Sequence, residues 1–518
     1  MERTDETVGD VFDRAVAAHG ERTALVDGPT GASVTYAELA TRVDALTAWL
    51  ATCGLGVDPG GRVGTWAPNV PAVAAFTLAA LRRGIAVTGV NPLATDAEVS
   101  RQFADAEVTA ALTTAELAGR ARALGVPHVL ALGEARGATS LMDVLAAAPP
   151  PPPTPAQTDG DVLALLPYSS GTTGVPKGVV LTHRNLVTVV EQLRERLGVT
   201  ADDVTLAVAP FFHILGATAA MLVPLTGGAT VVTMPRFDPL AFLRQLERHR
   251  VTYLAVPPPV AALLATHPAV DDRDLSALEL VVCGGAPLPP EIQGRLQERL
   301  PRCAIGQGWG LTETSGAASI PDRKTGAPPG TVGRPLPGAE VRVVDPDTGE
   351  ACPDGDDGQL EVRGPLVMQG YLGRPAETAA ILRPDGWLRT GDLGHLDPAG
   401  NVVIVDRLKD LIKVDGFQVA PTEVERELLT HPAVADAAVV GRPDDRHGEV
   451  PVAYVVLRTP TDPTELTDPT DLLVWLDDRL APYKHPTTIH VVDDLPRTPA
   501  GKLLRRTLAT HPLGDVVG

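Results

Sequence analysis

Short apolar runs alternate with amphipathic ones along this chain, and that alternation restricts the fold more than any other feature. Residues 62–66 (RVGTW) and 85–90 (IAVTGV) have the length of strands, and Val73–Leu81 between them has helical spacing. Strand, helix and strand in succession bury their apolar faces as α/β layers around a largely parallel sheet. Upstream, TYAELATRVDALTAWLA repeats apolar residues at helical spacing, with Thr35 placed to cap the first turn. At 518 residues the chain exceeds what one core serves, so more than one domain is expected.

The texture changes twice further on. From Leu336 to Arg363, short strands and turn residues (AEVRVVDPDTGEACPDGDDGQLEVRG) predict a compact, mainly antiparallel element. After Arg407 a charged segment, DRLKDLIKVDGF, leads into a last portion with its own helix and strand patterns, which puts a domain boundary near Lys409. The proline run Pro149–Thr158 continues neither a helix nor a central strand and reads as a surface loop within the larger domain.

Charge and cysteine usage exclude several function classes. The net charge is −20, the wrong sign for phosphate-backbone binding, so no nucleic-acid partner is expected. Cys53, Cys283, Cys303 and Cys352 form no CxxC pair and are expected to be reduced thiols of a cytoplasmic protein. The N-terminus has no apolar signal core, and the apolar stretch near Val70–Val90 is broken by Arg82, Arg83 and Gly84, so no membrane span is expected.

Four motifs carry chemistry. The run Tyr168–Gly178, YSSGTTGVPKG, follows an apolar strand at Val162–Leu166. Its small residues leave backbone N–H groups open to phosphate oxygens, Ser169, Ser170, Thr172 and Thr173 add hydroxyls, and Lys177 adds a positive charge. A Walker A loop would have Ser or Thr after the lysine, where this chain has Gly178. By composition alone a flexible polar loop remains open as a reading. The others are QGWGLTET (Gln307–Thr314), TGD (Thr390–Asp392) and PRTPAGKLLRR (Pro496–Arg506).

In this order the motifs resemble those of the adenylate-forming superfamily, which includes acyl- and aryl-CoA synthetases, nonribosomal peptide adenylation domains and beetle luciferases. The resemblance covers nearly the whole chain. It implies a large N-terminal domain, residues 1–408, of α/β layers with a small β-barrel-like subdomain, and a small mobile α+β C-terminal domain, residues 409–518, pivoting at Lys409. It implies ATP and Mg²⁺, with coenzyme A as co-substrate and a small carboxylic acid as partner. The phosphates would lie on Ser169, Ser170, Gly171, Thr172, Thr173, Gly174 and Lys177. Thr312 would contact the α-phosphate and Glu313 would bind magnesium, which prefers one or two carboxylates plus phosphate oxygens. Gly285, Ala286, Gln307, Gly308 and Trp309 would line the nucleotide site; the family usually has Tyr where this chain has Trp309. Asp392 and Arg407 would hold the ribose. Lys502 matches the family's adenylation lysine, and Lys413, Gly416 and Gln418 belong to the face that serves the second half-reaction.

PFFHILG (Pro210–Gly216), CGGAPL (Cys283–Leu288) and LIKVDGFQVAP (Leu411–Pro421) resemble the 4-coumarate:CoA ligase branch. By that resemblance His213 is the gate residue of an acyl pocket with Leu215, Gly284, Gly308 and Gly310. Two positions depart from the branch: Leu215, where hydroxycinnamate ligases commonly have Tyr, and Asp415, where the branch usually has Lys. An acid-to-CoA ligase for an aromatic or cinnamate-like acid is therefore expected. The alternative is an adenylate-forming enzyme with another acceptor: a carrier protein, or nitrite activated for transfer to an aryl amine. A nucleotide-binding protein with a decayed site is disfavoured, because Thr312, Glu313, Asp392, Lys409 and Lys502 are all present.

Overall fold

A computed structural model describes residues 5–55, 60–147, 159–169, 176–415, 417–444, 446–458, 468–477, 479–497 and 503–510. The proline run falls outside them, as do Ser170, Gly171, Thr172, Thr173, Gly174, Gly416 and Lys502; of Gln418 only the backbone is described.

Local signals set the elements. The helix Tyr36–Thr52 begins where the Thr35 hydroxyl accepts the Glu38 N–H at 3.2 Å and the Glu38 carboxylate accepts the Thr35 N–H at 2.8 Å. This reciprocal cap satisfies two donors that a helix start leaves open. The helix His183–Leu197 uses the same device, with Thr182 and Asn185, and stops at Gly198 in the left-handed region.

Contact within the chain divides it into two compact units: Met1–Val341 with Val362–Leu388, and Arg342–Glu361 with Arg389–Gly518. The first holds two large sheets. One has seven described strands, in the order Ala304–Gln307, Leu280–Cys283, Tyr253–Val256, Val204–Ala207, Thr230–Thr233, Thr23–Asp27 and Ser33–Thr35. All its pairings are parallel except the last. Its strand LVVC (Leu280–Cys283) is buried throughout, as expected of a strand covered on both faces. Val281, Phe242, Leu254 and Leu264 belong to the core against it.

The other sheet runs Gly370–Tyr371, Lys177–Thr182, Leu163–Leu165, Ala86–Gly89, Arg62–Trp66, Ala110–Thr113, His128–Ala131 and Thr139–Ser140, with Tyr168–Ser169 also paired to Lys177–Thr182. Its centre is parallel; the pairings of Lys177–Thr182 are antiparallel. The strands and helix expected at 62–66, 85–90 and 73–81 are thus Arg62–Trp66, Ala86–Gly89 and Pro71–Arg82.

Most of a four-stranded sheet (Glu340–Val344, Gly358–Arg363, Leu388–Leu396, Val402–Arg407) falls in the second unit. That unit also has a five-stranded sheet, in which Val434–Asp444 and Gly448–Leu457 form a long antiparallel pair. Helix Pro421–Leu429 contributes Val424 and Leu428 to the core there. The buried Glu425 is held by Arg505, whose Nη2 donates to Oε2 at 2.9 Å and whose Nη1 donates to both Oε1 and the Val439 carbonyl.

The four cysteines are free: Cys283 and Cys303 are buried, Cys53 and Cys352 half-buried. Burial pushes the Cys303 thiol up to about 12 and raises that of Cys283 as well. No described helix is long and apolar enough to cross a membrane.

Candidate active site

In the first unit, the residues on either side of the hydroxyl-rich run are paired. Ser169 pairs with Lys177 and Tyr168 with Gly178 in antiparallel register, so both ends of the 170–175 segment are fixed by the sheet. The Ser169 hydroxyl donates to Glu313 Oε1 at 2.9 Å, and the Tyr371 hydroxyl donates to the same oxygen at 2.7 Å. No described residue donates to Glu313 Oε2. The Glu313 side chain is 8 % exposed. Burial and the adjacent Glu313 charge raise the Tyr371 hydroxyl well above the usual phenol range, so it stays a donor.

Lys177 is buried and ion-paired with Glu377, and its ammonium lies 5.0 Å from the centre of the Tyr371 ring. The lysine holds the Glu377 carboxyl below its ordinary value. Two residues that no motif singled out, Tyr371 and Glu377, thus tie the loop's ends to the acidic residue. Their signal in YLGRPAET is a tyrosine and a glutamate around a proline-started helix, which is common in sequences generally.

Glu313 sits in a short turn, Thr312–Thr314, that follows the strand Ala304–Gln307. The Leu311 N–H donates to the Thr314 hydroxyl at 2.9 Å, and the Met368 N–H donates to the Glu313 carbonyl at 2.9 Å. Before the turn, Gln307 Oε1 accepts the Leu288 N–H at 2.9 Å, and the Gly308 N–H donates to the Cys283 carbonyl at 2.8 Å. These bonds place Gln307, Gly308 and the buried Trp309 beside the CGGAPL segment with Gly284, Gly285 and Ala286. Gly310 backs onto the Ala317 backbone, where a Cβ would lie 2.5 Å from Cα.

The same turn meets the PFFHILG segment. Gly316 has φ +101°, and a Cβ there would lie 2.9 Å from the Thr218 hydroxyl and 3.2 Å from Ile214. Only glycine allows this approach without displacement. Leu215 faces Gly284: a Cβ on that glycine would be 3.5 Å from Leu215 Cδ1. His213 Nδ1 accepts the Leu215 N–H at 3.3 Å, which fixes the ring at the head of a helical segment. The buried Asn69 staples the approach: its amide donates to the Ala207 and Ala209 carbonyls, each at 2.9 Å, and its carbonyl accepts the Phe211 N–H at 2.8 Å. His213, Leu215 and Gly284 thus belong to the same unit as the turn that carries Glu313, and Ile214 packs against Gly316 just after that turn.

In the second unit, Asp392 and Arg407 are cross-strand partners, with the guanidinium Nε 2.8 Å from the Asp392 carboxylate. Asp392 is buried, and its N–H donates to the Thr390 hydroxyl at 3.0 Å. Lys409 lies in the one-turn helix Leu408–Asp410 that follows, and Lys413 is exposed on the strand Ile412–Val414, in register with Gln418.

The model of the family described as AMP-binding enzyme matches residues 12–372, and that of the AMP-binding enzyme C-terminal domain matches 423–502. The chain belongs to the AMP-binding enzymes and is an adenylate-forming ligase by class. It is 39% identical to 4-coumarate–CoA ligase 5 of Oryza sativa subsp. japonica over 510 residues, covering 96% of this chain and 93% of that protein. ATP-bound MatB from Rhodopseudomonas palustris superimposes with a TM-score of 0.88 at 31% identity, covering 97% of this chain and 98% of the other. The anthranilate CoA ligase AuaEII, solved with anthranoyl-AMP, gives 0.88 at 25% identity over 97% and 96%. Within the family the chain falls in the 4-coumarate–CoA ligase-like branch.

Proposed function

We propose that this enzyme activates an aromatic or cinnamate-like carboxylic acid as its acyl-AMP and transfers the acyl group to coenzyme A. The observation that carries the reading is the buried Glu313 carboxylate, held at one oxygen by Ser169 and Tyr371 and, among the described residues, given no donor at the other. The likeness to 4-coumarate–CoA ligases and to a ligase solved with anthranoyl-AMP supports the choice of acid class.

The other Glu313 oxygen suits a hard cation that keeps its remaining positions for phosphate oxygens and water. Magnesium bound there would neutralise phosphate charge. The acid's carboxylate attacks the α-phosphorus of ATP and pyrophosphate leaves. Thr312 is assigned to the α-phosphate, and Lys177, Gln307, Gly308, Trp309, Gly285 and Ala286 to the rest of the nucleotide site. Asp392 and Arg407 are assigned to the ribose hydroxyls. Lys502 supplies positive charge to the phosphorane oxygens, where a single transition-state donor is worth roughly 10²-fold or more in rate. A thiol then attacks the acyl carbonyl and AMP leaves, after the C-terminal domain, residues 409–518, has turned about Lys409 to present Lys413, Gly416 and Gln418. Positioning and charge carry both steps, and no covalent enzyme intermediate is required.

Leu215 against Gly284 gives the acyl pocket an apolar wall in place of a phenolic hydroxyl, so unsubstituted rings should be favoured over 4-hydroxylated ones. The test is AMP release with MgATP and a panel of aryl and alkyl acids, with and without CoA, with the thioester identified by mass. AMP and thioester from aryl acids only when CoA is present supports the reading. Pyrophosphate release that CoA leaves unchanged transfers the search to carrier proteins and to nitrite with an aryl amine. Near-normal acid-dependent pyrophosphate exchange in Lys502→Ala would sink that assignment.

A further inference from the structure

Asp415, the residue that departs most sharply from the branch, is held in an unusual way. Its φ is +50°, a left-handed conformation uncommon for a residue other than glycine. Two bonds to one residue keep it there: the Asp415 N–H donates to the His447 carbonyl at 3.0 Å, and its carboxylate lies 2.8 Å from His447 Nδ1. His447 is fixed from its own side as well. Its N–H donates to Asp444 Oδ1 at 2.9 Å, the Arg446 N–H donates to the same oxygen at 2.8 Å, and Gly448 pairs with Val414.

This arrangement sets the tautomer. An ionised carboxylate only accepts, so the proton of a neutral His447 sits on Nδ1 and the Nε2 lone pair is left to accept. Among the described residues none is hydrogen-bonded to Nε2. Both side chains are open to approach, at 46% exposure for His447 and 50% for Asp415. A carboxylate that orients an imidazole and stabilises the imidazolium formed when it takes a proton is a recurrent catalytic unit. The groups around the pair are Arg446, Asp444, Glu449 (which accepts the Lys413 N–H at 2.8 Å) and the exposed Lys413.

We propose that His447 is the base that accepts the thiol proton in the second half-reaction, with Asp415 as its positioning residue. The proposal rests on the reading above, in which the segment after Ile412–Val414 is brought to the adenylate for acyl transfer. The thiol S–H proton passes to His447 Nε2 as the sulfur forms its bond to the acyl carbon. The bond from that carbon to the AMP phosphate oxygen breaks, AMP leaves with the electron pair, and the imidazolium rests against the Asp415 carboxylate. The products are thioester, AMP and one proton, later lost to solvent. On this view Asp415 replaces a cation near the thiol's path because it serves an imidazole there.

The experiment isolates the second step. Acyl-AMP is formed on the enzyme, CoA is added, and thioester formation in a single turnover is compared with the same variant's pyrophosphate exchange. His447→Asn keeps a side-chain N–H for Asp415 but has no basic nitrogen. It should lower thioester formation relative to exchange by roughly 10²-fold, the scale of a general base. Added imidazole should recover part of the rate, and a more acidic acceptor thiol should show a smaller defect than CoA. Asp415→Asn should give an intermediate loss. Thioester formation by His447→Asn at the wild-type ratio would overturn the proposal and leave the pair as a latch on a strained turn. A defect equal for all thiols and unmoved by imidazole would overturn it too. Wild-type enzyme that exchanges pyrophosphate but yields no thioester with any acid would overturn the CoA reading itself, and this inference with it.

Discussion

Replacing Asn69 with alanine tests whether the segment proposed to form the acyl pocket is held by one side chain. Asn69 is 5 % exposed and makes three hydrogen bonds to the segment that leads into His213: two from its amide, to the Ala207 and Ala209 carbonyls, and one to its carbonyl, from the Phe211 N–H. Asn69→Ala leaves two buried acceptors and one buried donor without the partner they had. Each unsatisfied group costs about 1–3 kcal/mol. Water entering the vacated space recovers some of this, so the expected loss is about 3–5 kcal/mol. Asn69→Asp should be worse at neutral pH, because it points a carboxylate oxygen at two carbonyl oxygens. Two measurements read the outcome: the urea midpoint by tryptophan fluorescence, and acid-dependent AMP release across acid concentration. The expected result is a lower midpoint together with a raised KM for the acid, because the PFFHILG segment loses its staple while Ser169 and Lys177 keep their own anchors. A stability change below about 1 kcal/mol with an unaltered acid KM would refute the reasoning.

Three further outcomes follow from other residues. Tyr371→Phe removes one of the two donors to Glu313 among the described residues; a hydrogen bond to a charged group is worth about 1.5–3 kcal/mol, so pyrophosphate exchange should fall roughly tenfold or more, with a raised magnesium requirement. His183 is buried, accepts the Val8 N–H on Nδ1 and is held down at about 4 by burial. Because the unfolded chain takes up that proton near pH 6.5, the stability present above 6.5 is lost as pH falls toward 4, by about 2 kcal/mol at pH 5. His183→Leu should flatten this part of the pH–stability curve, whatever it does to stability at pH 7. Arg505→Met strands the buried Glu425 and should destabilise the C-terminal unit by about 3–5 kcal/mol, read as faster proteolysis or hydrogen exchange there; adding Glu425→Leu should recover much of the loss.

Much of the layering was legible because it depends on period and caps. Thr35 and Glu38, three residues apart before an apolar run, announce the helix they cap, and RVGTW and IAVTGV have strand length and little polarity. The hydroxyl-rich run was legible as a motif, but the anchoring of its flanks was not. The sequence offers Lys177 as a cation, but not the partners that hold it, Glu377 and the Tyr371 ring, about 200 positions later. Asn69 and His447 were invisible for a related reason. Their roles come from loop backbone placed by tertiary packing, and nothing at local spacing marks a side chain that bonds to residues 138 or 32 positions away. Asp415 was conspicuous as a charge at an unexpected place; only its partner explains how that charge is accommodated.

The pattern of cysteine burial gives this enzyme a built-in ruler. Cys283 and Cys303 are sealed in the core with thiols that resist ionisation, so maleimide probes at mildly alkaline pH should label Cys53 and Cys352 selectively. Cys53 belongs to the first compact unit and Cys352 to the second, yet Cys352 precedes Lys409, the proposed pivot. Spin or dye labels on this pair therefore distinguish two ways for the enzyme to move. A separation that stays constant through ATP, acyl-AMP and CoA addition means that the strands around Cys352 travel with the nucleotide site and the swing begins at Lys409. A separation that changes means that the moving body includes the Arg342–Glu361 segment, and with it a much larger part of the chain takes the stroke.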